Sequence, residues 1–170
     1  MLRKFSLSAI AVCLLLMSAQ ARAQFQAGDW TLTLSGNGTN GQDFDSAQFA
    51  VNADIGYFFT NQLELALRQS IGYTDLPDDG GNFWVGTTAV ALDWHFDLGQ
   101  WQPYVGANVG FAYGDFNDTG FGGPEGGVKY FVNSTTYIEA SVAYSWFFDS
   151  DEDLDDGQFV YGLGIGFRWR

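Results

Sequence analysis

Eight titratable residues recur on the polar side of a period-two pattern: Asp54, Glu64, Arg68, Asp93, His95, Lys129, Glu139 and Arg168. Acids and bases gathered on one face could form an ion-pair network, gate small ions or supply acid–base catalysis. A charge taken out of water must be paired. The expected pairs are Glu64 or Glu139 with Arg68, and Asp93 with Lys129 or Arg168, together plugging an interior. His95 is the single histidine, and its neighbours Trp94, Phe96 and Asp97 carry no hydroxyl. A hydrolase needs nucleophile and base within hydrogen-bond reach, so the chain is expected to have no catalytic residue, no cofactor and no enzymatic activity.

A second set of acids lies outside this pattern. Asp149, Asp151, Glu152, Asp153, Asp155 and Asp156 crowd one stretch, and Asp43, Asp45, Asp75, Asp78, Asp79, Asp115 and Asp118 fall in three others. Hard oxygen ligands suit Ca²⁺ or Mg²⁺, which makes Asp149, Asp151, Asp153, Asp155 and Asp156 weak candidates for a divalent cation. The Asp151-x-Asp153-x-Asp155 spacing starts like an EF-hand, but Gly157 comes one position late and no Glu stands at the twelfth place. The plainer reading is a solvated acidic rim.

The elements that must position these residues are strands. Apolar and polar residues alternate in eight runs: Asp29 to Gly36, Ala47 to Phe59, Leu63 to Tyr73, Phe83 to Phe96, Trp101 to Tyr113, Glu125 to Val132, Thr136 to Phe148 and Gln158 to Arg170. The last is the cleanest, with Phe159, Tyr161, Leu163, Ile165, Phe167 and Trp169 against a row holding Gly162, Gly164 and Gly166. Twenty-two glycines, three prolines and no convincing helical period agree.

Short links (Thr60 to Gln62, Asp97 to Gln100, Asn133 to Thr135) alternate with longer Gly/Asp-rich ones (Asn37 to Ser46, Thr74 to Asn82, Gly114 to Pro124, Asp149 to Gly157). Strict alternation of this kind fits an outer-membrane barrel, with short periplasmic turns and longer outside loops. The interior of eight strands is narrow. It can hold the glycines and a few charges, whereas the bulky apolar rows must face out. Aromatics gather near both strand ends, as interfacial girdles do. The expected fold is an all-β, eight-stranded antiparallel up-and-down transmembrane β-barrel.

The amino end reads as a secretory leader: Arg3 and Lys4, an apolar core from Phe5 to Met17, and Ala21-Arg22-Ala23 before cleavage. The core is too short to span a membrane. Residues 1–23 are therefore expected to be removed and 24–170 to form one barrel domain. Cys13, the single cysteine, lies in the leader, where Val12 before it argues against lipidation. Beyond residue 23, four basic residues face twenty acids, a formal charge of −16, which excludes the basic patch that nucleic-acid binding requires.

Three phrases carry a family resemblance: "IGYFFTNQLELAL" (Ile55 to Leu67), "WQPYVGANVGFAYG" (Trp101 to Gly114) and "YGLGIGFRWR" (Tyr161 to Arg170). The chain resembles the small eight-stranded outer-membrane barrels grouped with the OmpA transmembrane domain and the OmpX-like proteins. It departs from their usual terminal aromatic by one residue, Arg170 after Trp169. The resemblance implies a Gram-negative outer membrane with both termini periplasmic, and a monomer in contact with lipid, lipopolysaccharide and the barrel-assembly machinery. It implies a structural or surface-interaction role in adhesion or envelope integrity. The acidic loops themselves suggest contact with a surface ligand and, as the sharper alternative to a solvated rim, weak divalent binding that bridges to lipopolysaccharide phosphates. A narrow gated channel is the alternative. A lipid A-modifying enzyme is the weakest, because the deacylases of this size pair a His with a nearby Ser and His95 has none.

Overall fold

A computed structural model describes residues 24–40, 47–75, 81–115, 118–148 and 157–170. Eight strands form one closed antiparallel barrel in sequence order: β1 (Trp30–Asn40), β2 (Ala47–Phe58), β3 (Leu63–Asp75), β4 (Asn82–His95), β5 (Trp101–Gly114), β6 (Thr119–Phe131), β7 (Thr136–Phe147) and β8 (Gly157–Trp169). The seam between β1 and β8 runs from Trp30↔Trp169 to Ser35↔Gly164. Closing β1 onto β8 removes, along this stretch, the open sheet edges that hydrocarbon surroundings would not tolerate.

Side chains fix the three short turns. The Thr60 hydroxyl accepts from the Leu63 backbone N–H at 2.9 Å, and Asn133 Oδ1 accepts from those of Thr135 (2.9 Å) and Thr136 (2.8 Å). Asp97 Oδ1 accepts from the N–H of Gly99, whose φ of 74° belongs to the left-handed region.

Most strand limits agree with the alternation within two residues. β1 instead continues four residues past Gly36, and β6 begins at Thr119, six residues before Glu125. Gly120, Gly122, Gly123 and Pro124 read as loop in the sequence, yet they pair with β5 from Ala107↔Pro124 to Ala112↔Thr119. Toward β7 the ladder skips Gly123 and Pro124, where proline has no N–H to donate. The expected third long link thus shortens to residues 115–118.

The bulky rows face outward. Leu34, Val51, Leu67, Val90, Val109, Leu163 and Ile165 are all exposed. Ring pairs band both ends of the outer surface: Trp30–Tyr57 (5.0 Å) and Trp101–Tyr130 (4.6 Å) near the short turns, and Phe49–Tyr73 (5.4 Å) and Tyr144–Phe159 (4.9 Å) near the long connections. One polar trio interrupts this face. The Gln69 amide donates to the Tyr113 hydroxyl (2.8 Å) and accepts from Thr88 (2.7 Å), so the glutamine is satisfied without water.

Val90 lies on β4 between Trp84 and Trp94, near mid-height. In a bilayer, Val90→Arg is expected to cost ~2–4 kcal/mol of barrel stability, read from urea unfolding in lipid vesicles. A loss below ~1 kcal/mol would mean that this face does not lie at the bilayer centre.

Candidate functional site: the charged lumen

The lumen is layered from the short-turn end upward. At the bottom, Phe25, Phe58, Phe131 and Tyr137 are all fully buried. Phe25 belongs to the segment before β1, and it stacks on Phe58 with centroids 4.1 Å apart and meets Phe131 edge-on at 5.1 Å. The alternation puts Phe131 and Tyr137 on the inward rows, but Phe25 was not legible there, because it precedes the first period-two run. Tyr137 lies over Gly166, where any Cβ would collide with its ring. Gly166 is thus the space for a ring from the neighbouring strand β7. Gly166→Val is expected to disturb the floor, visible as loss of the heat-modifiable gel band at lower temperature than for the parent.

Above the floor sits Glu64. Its Oε1 accepts from the Thr31 hydroxyl (2.5 Å), and its Oε2 accepts from Lys129 Nζ (2.7 Å) and from His95 Nε2 (2.8 Å). Facing a carboxylate, Nε2 is the imidazole nitrogen that carries the proton. Three rings surround the ammonium, with the centroids of Tyr137, Tyr104 and Phe25 at 5.4, 5.5 and 5.6 Å from Nζ. Such contacts strengthen when water is excluded. Glu139 lies beside Lys129 in register but is held by hydroxyls, those of Tyr104 (2.6 Å) and Thr33 (3.0 Å).

The next layer centres on Arg68. Its guanidinium donates to Asp93 (Nη2 to Oδ2, 3.0 Å) and to Glu125 Oε2, with Asp54 3.6 Å from Nε. Asn108 also donates to Glu125 (2.5 Å). Asp93, Gly106 and Glu125 are register partners across β4, β5 and β6. Asp93 Oδ1 fills the place where a side chain on residue 106 would begin.

The structure therefore places Asp54, Glu64, Arg68, Asp93, His95, Lys129 and Glu139 in the lumen, but with partners other than those expected. Arg68 pairs with Asp93, Glu125 and Asp54, and with neither Glu64 nor Glu139. Lys129 takes Glu64. Arg168 stands apart at the short-turn end, 3.4 Å from Asp29 and donating to the carbonyls of Ser134 (2.7 Å) and Gln24. The reason is geometric. Strand tilt and shear decide which interior residues meet across the lumen, and alternation along one strand carries no information about shear. Glu125 was not among the expected lumen residues, although it opens the sixth run and shares the parity of Lys129.

Glu64, Asp93 and His95 offer ligand atoms within 4.8 Å of one another. The Lys129 ammonium and the Arg68 guanidinium already neutralise the two carboxylates, so a metal would have to displace a bonded cation. His95 packs against Phe25 (5.2 Å), Phe58 (5.0 Å) and Tyr104 (5.1 Å). The one hydrogen bond of its imidazole among the described residues goes to Glu64. This is an imidazole used for packing and pairing. The acids Asp149, Asp151, Asp153, Asp155 and Asp156, and residues 1–23, lie outside the described residues.

Solved structures of outer-membrane barrels share the architecture. The N-terminal β-barrel domain of Pseudomonas aeruginosa OprF is 22% identical, with a TM-score of 0.58 over 86% of this chain and 100% of that one. The outer membrane protein OprG of Pseudomonas aeruginosa is 14% identical, with a TM-score of 0.57 over 87% and 99%. Neisserial surface protein A is 16% identical, with a TM-score of 0.55 over 82% and 94%. No curated protein matches the chain. The model of the outer membrane protein β-barrel domain matches residues 9–167, and with the closed eight-stranded barrel it establishes that this chain belongs to the outer membrane protein β-barrel family.

Proposed function

We propose that this protein is a sealed outer-membrane barrel that contributes to envelope structure and presents its long connections for surface interaction. The observation that carries the reading is the filled lumen. Four buried rings close the short-turn end, and two ion-pair layers centred on Glu64 and Arg68 stand above them. An eight-stranded barrel has an interior just wide enough for its own side chains, and here those side chains bond one another.

In this reading the short turns and both termini face the periplasm. The acidic connections face outward, where lipopolysaccharide and a surface ligand are the partners, and the barrel works as a monomer inserted by the assembly machinery. The test is reconstitution into planar bilayers combined with an epitope inserted in the 149–156 connection. The expected results are no discrete conductance steps and an epitope reached by antibody on intact cells. Steady single-channel steps would favour the alternative, a narrow gated channel in which the Arg68 layer rearranges. An epitope reached only after permeabilisation would reverse the orientation.

A further inference from the structure

Above the Arg68 layer the lumen opens into a cavity of about 380 Å³, within the range of small-molecule sites. Its upper wall carries apolar surface from Val85, Phe121, Phe147 and Val160 among the polar side chains of Thr87, Ser145 and Gln158. Its floor is acidic, with Asp54, Glu125 and Glu139 against Arg68 alone. Among the described residues of the barrel interior, Asp54, Glu64, Asp93, Glu125 and Glu139 face only two permanent cations, Arg68 and Lys129. Uncompensated carboxylates inside a barrel surrounded by hydrocarbon are costly, so the interior is short of positive charge.

The shortage has an address. Glu125 is only 8% exposed, and its Oε1 has no donor in the protein; the buried Oδ1 atoms of Asn108 and of Asp93, whose carboxyl lies beside that of Glu125, have none either. Glu125 and Asn108 line the cavity, as does Asp54, whose one cationic partner is Arg68 at 3.6 Å. These are acceptors waiting for a donor. An ammonium offers three donors and no acceptor. A divalent metal would instead seek six or more oxygens, and it would leave the apolar wall unused. The barrel already builds an ammonium site one layer below, where Lys129 meets Glu64 among three rings.

We propose that this cavity binds a small organic ammonium, its charged head against Glu125, Asn108 and Asp54 and its hydrocarbon part along Phe121, Phe147 and Val160. The site does not depend on the envelope role proposed above, since a sealed barrel and a gated one would both contain it.

The test is calorimetric titration of the full chain in a neutral detergent with n-butylammonium, and with 1-butanol as the uncharged control. Saturable one-to-one binding of the amine and none of the alcohol is expected. Glu125→Gln keeps the shape and removes the charge, and it should weaken the amine by about tenfold or more, as loss of a charge-assisted hydrogen bond does. Ala143 is the register partner of Glu125 on β7, and Ala143→Leu, which fills the cavity without removing a charge, should abolish binding. If Glu125→Gln does not give a heat-modifiable barrel, Asp54→Asn and Ala143→Leu carry the test. Equal binding of amine and alcohol, parent-like affinity in the charge variants, or displacement by equimolar sodium would each overturn the proposal. The first would leave a merely apolar cavity, the second carboxyls neutralised by a proton, and the third an inorganic-cation site.

Discussion

Replacing Lys129 with methionine is expected to destabilise the barrel by ~3–5 kcal/mol, the usual cost of leaving one member of a buried ion pair alone. Methionine is close in length and would still fit among Phe25, Tyr104 and Tyr137, so packing loss should be small. The charge of Glu64 would then have only the Thr31 hydroxyl and the His95 imidazole to offset it. Urea unfolding in lipid vesicles, followed by tryptophan fluorescence, measures the loss. The double variant Lys129→Met, Glu64→Gln removes both charges and should recover most of it, because the penalty lies in the orphaned charge and not in the missing bond. A single-variant loss below ~1 kcal/mol, typical of solvated pairs, would show that water reaches Glu64 and that the aromatic floor does not seal the lumen.

Phe25→Ala tests that floor directly. A fully buried phenylalanine truncated to alanine commonly costs ~3–5 kcal/mol, and Phe25 touches Phe58, Phe131, Tyr137 and His95 at once. The segment around it is secured separately. The Gly28 N–H donates to the Phe58 carbonyl (2.8 Å), Asp29 accepts from the Gln26 N–H (2.9 Å), and Arg170 donates to the Ala27 carbonyl (3.0 Å). The backbone should therefore stay in place while the ring vanishes, leaving a void beneath Glu64. In planar bilayers the variant is expected to show brief conductance events that the parent lacks. A stability loss without conductance would place the seal at the Arg68 layer instead.

The outer surface was readable from the sequence because lipid imposes one rule on every outward residue. Large apolar groups recur with period two, and this alone assigned Leu163, Ile165 and Phe167 to one face and Glu64, Asp93, His95 and Lys129 to the other. The interior obeys no comparable local rule. Glu64 finds Lys129 three strands away, and Arg68 gathers carboxylates from β2, β4 and β6. Those meetings depend on tilt, on shear and on gaps such as Gly106, which admits Asp93. The role of Arg170 was equally hidden. In the sequence it is a departure from a terminal aromatic, and in the fold its guanidinium clasps the segment that carries Phe25.

That clasp ties the two ends of the barrel sequence together. Arg168 reaches the Gln24 carbonyl and Arg170 the Gln26 side chain, each across 144 residues of sequence. Contacts of such separation carry the largest loop-closure cost and come together late. The β1–β8 seam has the same long reach, so zipping the barrel and seating Phe25 become one event. Until the last strand docks, the ring has no Arg170 to hold its segment. Stoppering the lumen is therefore expected to accompany closure of the β1–β8 seam.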